Sequence, residues 1–294
     1  MFFVLLFIFL VNSAGGATWA QNSPPLGMVL QSSGKVVLER GSEKRAARLA
    51  DLLYAGDRIR ATSGTVTLLF CPSSEKLQLK KGSVLEVLTA STKTVSGPKP
   101  VREKSARCAL PKVALGSESL ERMGAVRARG YPPLAVYLGG KISTARPQFE
   151  WEAVPGAREY VLVLRAESGA VLWQPRTDQL SLDYPETKPA LESGGSYQWE
   201  VRAEGEGKTL GQQSASFEVR PSEEFQIRPA DDAGRLLLAA DLEAAGYFAD
   251  AARLFRQLRD THPGDERLTH HLVWLYWNAS LVTASSRERE KIKK

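Results

Sequence analysis

Short runs of alternating apolar and polar residues extend over most of this 294-residue chain, and they constrain its fold more than any other feature. Residues 180–184 (LSLDY) and 197–201 (YQWEV) show the pattern most clearly. Successive side chains of a strand point to opposite faces, so a period of two indicates strands with one buried face. From Asp231 onward the period becomes that of a helix. The sequence therefore predicts a mainly β, multidomain protein with an α-helical C-terminal unit.

The first predicted domain, residues 25–115, contains short strands separated by turns with glycine, which favours a small all-β sandwich or roll. Its motifs are Gly34 before a strand, Gly56-Asp57-x-Ile59-x-x-Thr62, Thr65-Val66-x-Leu68-x-Phe70 and Leu77-x-Leu79-x-x-Gly82-Ser83. Together they resemble the FecR domain of bacterial envelope proteins, although Cys71-Pro72-Ser73-Ser74 replaces the acidic glycine turn usual in that family. The resemblance implies an extracytoplasmic β module. Within it, Gly56 permits a tight turn and Asp57 can accept hydrogen bonds from backbone N–H groups.

The second predicted domain, residues 131–220, follows a polar linker at 116–130 and resumes the alternation. Strands at this spacing favour an immunoglobulin-like sandwich. The motif Leu191-x-x-Gly194-x-x-Tyr197 is similar to the tyrosine corner of fibronectin type III domains. That resemblance implies that the tyrosine hydroxyl bonds to nearby backbone and serves folding rather than catalysis.

Four aromatic residues of the second domain have different expected roles. Trp151, Tyr160 and Trp199 fall on the inward phase of their strands, so we interpret them as core residues, with a platform for sugars as the alternative. Trp173 lies outside this pattern and is a candidate for an exposed partner contact.

The third predicted domain, residues 221–294, is helical. Apolar residues at helical spacing predict one helix that ends at Gly246 and a second that stops before Pro263. The residues involved are Leu237, Leu238, Leu242, Ala245, Ala251, Ala252, Phe255 and Leu258. Their pattern looks like one tetratricopeptide repeat, with Arg235 where that family has an early tryptophan. Because one repeat cannot bury its own faces, this unit needs further packing partners.

A third helix is predicted from about Asp265. Its packing stripe contains Leu268, Leu272, Leu275, Tyr276 and Ala279, whereas Val273, Trp274 and Trp277 point elsewhere. Trp274 and Trp277 are candidates for partner contacts, with packing inside the chain as the alternative. The basic residues 287–294 are expected to form a solvated, frayed tail.

The N-terminus indicates export. Residues 2–11 (FFVLLFIFLV) are uniformly apolar but reach only about half the length that a transmembrane helix needs. Small and polar residues follow, so we interpret residues 1–20 as a signal peptide, cleaved after Ala17 or Ala20, despite the absence of a basic residue before the run. An uncleaved anchor and a buried first element of a cytosolic fold are the alternatives. The expected location is periplasmic or secreted, with no integral membrane span in the mature chain.

The two cysteines of the chain are Cys71 and Cys108. In an oxidising compartment an isolated pair favours a disulfide, whereas both thiols would stay free in the cytosol. Metal ligation is disfavoured because the sequence has no CxxC spacing and three histidines. We expect a disulfide, conditional on export.

The formal net charge of +6 is interpreted as spread along the chain with acidic residues interleaved, so no nucleic-acid partner is inferred. Catalytic, cofactor-binding and metal-ligating residues are all expected to be absent, because no nucleophile elbow, zinc-protease motif, dinucleotide fingerprint or complete phosphate loop occurs. The segment 205–209 (GEGKT) ends like a phosphate loop, but Arg202 stands where its first glycine belongs, which predicts a hairpin turn.

Function follows from these modules by analogy. The leading hypothesis is a non-enzymatic, exported cell-envelope protein that binds or scaffolds an envelope protein or a cell-wall polymer. The first alternative is an extracytoplasmic sensory or regulatory subunit, because the best-known FecR proteins regulate an iron-uptake sigma-factor system through a transmembrane helix. The second is a carbohydrate-active hydrolase, which would require a deep cleft with paired carboxylates between the domains.

Overall fold

A computed structural model of the chain describes residues 23–111 and 133–292. The predicted signal peptide, most of the predicted linker and the last two lysines lie outside the described residues. The described part is mainly β, with four helices at its C-terminal end. We call residues 23–111 the first β unit, residues 133–220 the sandwich and residues 221–292 the helical unit.

The first β unit is formed by two five-stranded antiparallel sheets that pack face to face. The strand orders are β10-β7-β6-β1-β4 and β3-β2-β5-β8-β9. Their bounds are β1 Gly27–Ser33, β2 Val36–Arg40, β3 Glu43–Ala46, β4 Leu52–Leu53, β5 Arg58–Ala61, β6 Thr65–Phe70, β7 Glu75–Leu79, β8 Val84–Val87, β9 Thr92–Ser96 and β10 Val101–Lys104. Inward residues such as Val29, Leu38 and Ile59 form a core of their own between the sheets. The alternation in sequence matches this arrangement, because each strand buries one face.

The turn before β5 behaves as expected from Gly56 and Asp57. Gly56 has a φ of +90°, which glycine adopts readily. The buried Asp57 carboxylate accepts a hydrogen bond from the N–H of Tyr54 at 2.9 Å and two from Arg40 at 2.8 Å each. The role of this step is therefore to fix a turn.

The sandwich places a five-strand path, β11-β18-β17-β13-β14, against the pair β12–β16. The bounds are β11 Gly140–Ile142, β12 Gln148–Glu150, β13 Glu159–Ala166, β14 Val171–Trp173, β15 Arg176–Thr177, β16 Ser181–Asp183, β17 Ser196–Gly205 and β18 Lys208–Val219. Strand β15 also pairs with β13, and residues 135–137 bond to the outer side of β12. Two residues connect β17 and β18, which confirms the hairpin at 205–209.

The core of the sandwich contains the predicted aromatic residues. Trp151, Tyr160 and Trp199 are at most 5% exposed. The hydroxyl of Tyr197 accepts a hydrogen bond from the N–H of Glu192 at 2.9 Å, as a tyrosine corner requires. Both sequence expectations are confirmed, and neither set of residues forms an exposed binding platform.

The helical unit consists of four helices in series: α1 Asp232–Ala244, α2 Phe248–Thr261, α3 Glu266–Asn278 and α4 Val282–Ile292. Side chains of Asp231 and Asp265 cap α1 and α3 by accepting backbone N–H groups. Gly246 has a φ of +83° just beyond α1 and ends that helix as predicted. The helices thus form two successive hairpins, α1–α2 and α3–α4, rather than one repeat with an added helix.

One expectation for the C-terminal end is wrong. Residues 287–292 belong to α4, where Glu288 is buried and bonds Arg259, so this basic stretch is an ordered helix and not a frayed tail. Val273, which was predicted to point away from the packing stripe of α3, is fully buried. Helix α4 covers a side of α3 that the sequence pattern left open and donates a hydrogen bond to its backbone, from the hydroxyl of Ser285 to the carbonyl of Val273 at 2.9 Å.

The three units pack directly on one another. One hydrophobic cluster joins the interior of the sandwich, the helices and the outer face of β1 and β6, where Met28, Leu30 and Leu69 lie. The core of the first β unit is separate from this shared core. Packing on the sandwich therefore supplies the buried surface that the short helical unit cannot provide for itself.

Candidate functional site

A groove of about 540 Å³ lies between the sandwich and the helical unit. One wall is β12 with the preceding loop 143–147, the second is the faces of α1 and α2, and the connector 225–229 closes one side. Five arginines line it: Arg146, Arg228, Arg235, Arg253 and Arg256. We call this site the arginine groove.

Buried hydrogen bonds hold the two walls of the groove in place. Asp250 at the start of α2 is 5% exposed and accepts the N–H of Ser143 at 2.7 Å. The side-chain amide of Gln226 donates to the carbonyl of Ser143 at 3.1 Å, which attaches the connector to the same loop. The hydroxyl of Tyr247 donates to the carbonyl of Arg220 at 2.9 Å. These bonds cross between units, so the groove is a fixed feature of the fold.

The floor of the groove contains a paired and inert charge. Arg256 bonds both carboxylate oxygens of Glu150, and its guanidinium lies 4.5 Å from the ring centre of Tyr137. Burial opposes the charge of Arg256, but the hydrogen bond to Glu150 and the attraction of nearby acidic groups together outweigh it and raise the arginine pKa. Burial also raises the pKa of Tyr137 to about 12, so its phenol is neutral. These three side chains join the sandwich to α2 and have no charge left for a ligand.

Three arginines at the rim keep an uncompensated charge. Arg146 donates to the carbonyls of Pro185 and Lys188 at 2.7 and 2.9 Å, which position its guanidinium without neutralising it. Arg228 and Arg253 are exposed, and within residues 23–111 and 133–292 neither forms an ion pair or hydrogen bond. Free guanidinium groups are suited to carboxylates and phosphates, because their planar donors bind two oxygens at once.

The carboxylates of the groove are mostly engaged. Glu150 is bound to Arg256, and Asp250 is bound to the backbone of Ser143. Asp183, on β16, lies exposed and has no ion-pair partner in the described part of the chain. Among the described lining residues, three arginines and two carboxylates, Asp183 and the buried Asp250, thus lack an ion-pair partner, so the unpaired charge is net positive.

The groove also offers apolar surface. Leu138, Leu242 and Leu254 line it at low exposure. Ile227 at its rim is 56% exposed, which is a high value for a large aliphatic side chain. A groove with an apolar lining and a cationic rim fits an amphipathic, acidic segment.

Other sites predicted from sequence lie elsewhere. Cys71 and Cys108 form a disulfide with 5.4 Å between their Cα atoms, so the expected pairing is confirmed. It joins the end of β6 to the segment after β10. Nearby, Arg107 forms an ion pair with Asp241 of α1 at 2.6 Å, so the bridge also stabilises a contact between units.

The three tryptophans proposed as partner contacts are all half-buried, and none lines the arginine groove. Trp173 pairs with the buried Leu164 across β13–β14, and its ring packs on the sandwich core against Phe149 and Tyr184 at 5.8 and 5.6 Å. A partner contact through its remaining exposed surface stays a prediction. Trp274 packs against Phe248 at 5.6 Å and His271 at 5.7 Å. A partner contact through the remaining half-exposed surface of Trp274 or Trp277 stays a prediction.

Sequence reasoning missed the arginine groove. Arg146, Arg228 and Arg253 belong to a loop, a connector and a helix that lie far apart in the chain. A weak signal was available in Ile227-Arg228, an apolar and a basic residue in a connector without periodicity. The spatial convergence of the three arginines depends on how the helices pack on the sandwich.

The described residues contain no cluster of metal-ligating side chains and no helix long and apolar enough to cross a membrane. No protein-family model matches the chain, and no curated protein matches it. Solved structures with some similarity include the FN1-FN3 domains of chicken CNTN1, with 11% identity, a TM-score of 0.24 and coverage of 63% of this chain and 54% of that chain. Another is an FMN-binding beta-glucuronidase from Facaelibacterium prausnitzii L2-6, with 11% identity, a TM-score of 0.27 and coverage of 87% and 57%. The chain spans little more than half the length of either structure, and neither similarity defines its function.

Proposed function

We propose that this chain is a non-enzymatic, exported cell-envelope protein whose arginine groove holds an acidic segment of a partner protein. The observation that carries the proposal is the placement of Arg146, Arg228 and Arg253 around an apolar groove with an exposed Ile227. We further propose that the first β unit is FecR-like, the sandwich fibronectin type III-like and the helical unit tetratricopeptide-like.

Several features support these assignments. The turn at Gly56-Asp57 supports the first, and the tyrosine corner with its strand order supports the second. The successive helical hairpins support the third. The disulfide between Cys71 and Cys108 supports export, since such bonds persist in oxidising compartments.

The state of the carboxylates favours binding over hydrolysis. Glycoside hydrolysis uses two carboxyl groups that face the substrate. In the groove, Glu150 is neutralised by Arg256, and the buried Asp250 accepts the backbone N–H of Ser143. Among the described lining residues, this leaves Asp183 as the carboxylate available to a substrate. Binding needs no more than the cations and apolar surface that are present.

Site-specific crosslinking in intact envelopes tests the proposal. A photoreactive residue replaces Ile227 at the groove, and a matched one replaces Val171, which is 48% exposed on the sandwich edge. We expect capture of a defined acidic stretch of one partner from position 227 and not from position 171. Capture of a cell-wall polymer would contradict the assignment of a protein ligand, and capture of a membrane-embedded regulator would favour the sensory role.

Charge reversal supplies the second arm of the test. The double variant Arg228→Glu and Arg253→Glu is compared with Arg158→Glu and Arg165→Glu, two exposed arginines on the sandwich. Binding of a fluorescent peptide of alternating Glu and Leu is measured by anisotropy. We expect at least a tenfold loss for the groove variant, because each charged hydrogen bond contributes about 1.5–3 kcal/mol. Equal affinity of the two variants would refute the site.

A further inference from the structure

Positive charge is concentrated in the first β unit. Residues 23–111 contain 15 Lys and Arg against 7 Asp and Glu, whereas residues 133–292 contain 18 against 24. The even spread inferred from the whole sequence is therefore wrong for the individual units. The excess is large enough to ask where on the first β unit it lies.

Four loops meet at one end of the first β unit: residues 33–35, 62–64, 80–83 and 97–100. They contain Lys35, Lys80, Lys81 and Lys99 and no acidic residue. All four lysines are exposed, and none forms an ion pair with the described residues. We call this end the lysine tip.

Backbone contacts fix the four loops relative to one another. The N–H of Thr62 donates to the carbonyl of Lys35 at 2.9 Å, and the N–H of Gly82 donates to the carbonyl of Ala61 at 2.7 Å. The hydroxyl of Ser83 donates to the carbonyl of Pro98 at 2.8 Å. A Cβ atom on Gly97 would lie 2.1 Å from the carbonyl oxygen of Gly82, so these two loops touch. The lysine backbones are thus held as one surface.

The lysine tip is not used inside the molecule. Within the described residues, none of its loops forms a hydrogen bond or ion pair with the sandwich or the helical unit. Those contacts are made through the outer face of β1 and β6, through the buried Asp51, which bonds Arg267 of α3, and through Arg107, which bonds Asp241 of α1. The tip therefore presents its charge to solvent.

Exposed apolar side chains adjoin the lysines. Val95 of β9 and Val101 of β10 are 44% and 42% exposed and flank the 97–100 loop on both sides. Both strands are sheet edges, so the valines project at the border of the unit. Lysines beside small apolar side chains suit a bilayer surface, where ammonium groups meet phosphate and apolar groups enter the headgroup region. A soluble polyanion would gain nothing from the valines.

We propose that the lysine tip is a docking surface for a bilayer that carries anionic phospholipids. Lysine, as a compact point charge on a flexible stem, fits a fluid array of phosphates better than a single shaped ligand. This inference is independent of the arginine groove, which lies between the other two units. It adds an orientation, with the first β unit facing the lipid and the groove free for a partner.

Sedimentation with vesicles tests the proposal. The full chain is mixed with phosphatidylcholine vesicles that either contain or lack phosphatidylglycerol. The increase in the vesicle partition coefficient that phosphatidylglycerol causes, here called the increment, is measured. The apolar run at residues 2–11 is present in every variant and contributes equally. We expect the increment to fall about 25-fold or more in Lys80→Glu with Lys81→Glu, since each lysine near an anionic surface changes partitioning about fivefold. The matched control, Lys188→Glu with Lys208→Glu on the sandwich, is expected to keep it.

A second variant separates lipid from other polyanions. Val95→Ser with Val101→Ser is expected to weaken vesicle binding severalfold and to leave binding of soluble polyphosphate unchanged. No increment with phosphatidylglycerol, or equal losses in the tip and control variants, would overturn the proposal. Unchanged vesicle binding by the valine variant would assign the tip to soluble polyanions and would also overturn it. Far-UV circular dichroism confirms that each variant is folded.

Discussion

The first β unit and the rest of the molecule differ in how they are stabilised. The first β unit has its own core between two sheets, and its described residues contain no tryptophan. The sandwich and the helical unit share a second hydrophobic cluster that includes Trp151, Trp199 and Phe255 and that the outer face of β1 and β6 adjoins. A four-helix piece of this length is too short for a self-supporting repeat array, so the sandwich acts as its packing partner. The comparison indicates one self-contained unit attached to a two-part cooperative unit.

The largest expected effect on the free energy of unfolding comes from substitutions that create a cavity in each core in turn. Phe255→Ala in the shared core should cost about 3–5 kcal/mol, and Ile59→Ala in the first β unit about 2–5 kcal/mol, because both side chains are fully buried. Five of the six tryptophans lie in the sandwich and the helical unit, so fluorescence reports mainly on these two units, while far-UV circular dichroism reports on all units. We expect the urea midpoint by fluorescence to fall strongly for Phe255→Ala and much less for Ile59→Ala. Equal shifts would mean that the whole chain unfolds as one unit.

Removal of the disulfide should act on the first β unit. The bridge spans 37 residues, and closing a loop of that length stabilises a fold by about 4 kcal/mol in the chain-entropy model. Cys71→Ser with Cys108→Ser should therefore lower the urea midpoint measured by far-UV circular dichroism more than the midpoint measured by fluorescence. Reduction of the wild-type chain by dithiothreitol should reproduce the variant. A coincident fall of both transitions would show that the bridge stabilises the contact with α1 as well.

The loss of free energy of unfolding at acidic pH tests the contact between the first β unit and α3. Asp265 caps α3 and bonds Arg267, which in turn bonds Asp51 of the first β unit. Burial alone would raise the pKa of Asp265, but the hydrogen bonds to Arg267 and the positive charge of that arginine together outweigh it, and the pKa is lowered.

A lowered pKa means that the folded state binds a proton less readily than the unfolded state. The stabilisation is therefore complete above the unfolded value near pH 4 and is lost as the pH falls through the folded value. We expect a loss of about 1 kcal/mol between pH 5 and pH 2, measured from urea midpoints, that is smaller in Asp265→Asn. An identical pH profile in that variant would assign the acid sensitivity to other carboxylates.

The comparison also separates what the sequence predicted from what it did not. Features set by neighbouring residues were predictable: the hairpin at 205–209, the tyrosine corner at Tyr197 and the end of α1 at Gly246. Each depends on local backbone geometry or on a fixed spacing. The disulfide was predictable because the chain contains two cysteines.

Features that depend on packing between units were not predictable. Residues 287–292 were predicted to form a polar tail, but they belong to α4, where Glu288 accepts a hydrogen bond from Arg259. The arginine groove brings together Arg146, Arg228 and Arg253, and no local pattern relates their positions. The partial burial of Trp173 depends on which face of β14 the sandwich covers. In each case tertiary contact overrides a local pattern.

The smallest effect concerns a polar atom inside the shared core. Tyr276 of α3 is 1% exposed, and its hydroxyl has no hydrogen-bond partner among the described residues. Burial raises the pKa of this phenol strongly, so it stays neutral. An unsatisfied buried hydroxyl costs free energy, so Tyr276→Phe should leave the free energy of unfolding unchanged or raise it by up to about 1 kcal/mol.

The matched control is Tyr197→Phe, because the hydroxyl of Tyr197 accepts the N–H of Glu192 and its removal leaves that donor unpaired. This control should lose about 1 kcal/mol by fluorescence-detected urea unfolding. A similar loss in Tyr276→Phe would mean that a buried water satisfies the Tyr276 hydroxyl. In that case the shared core would be hydrated at α3, and the junction of the sandwich and helical unit would be less tightly packed than the core of the first β unit.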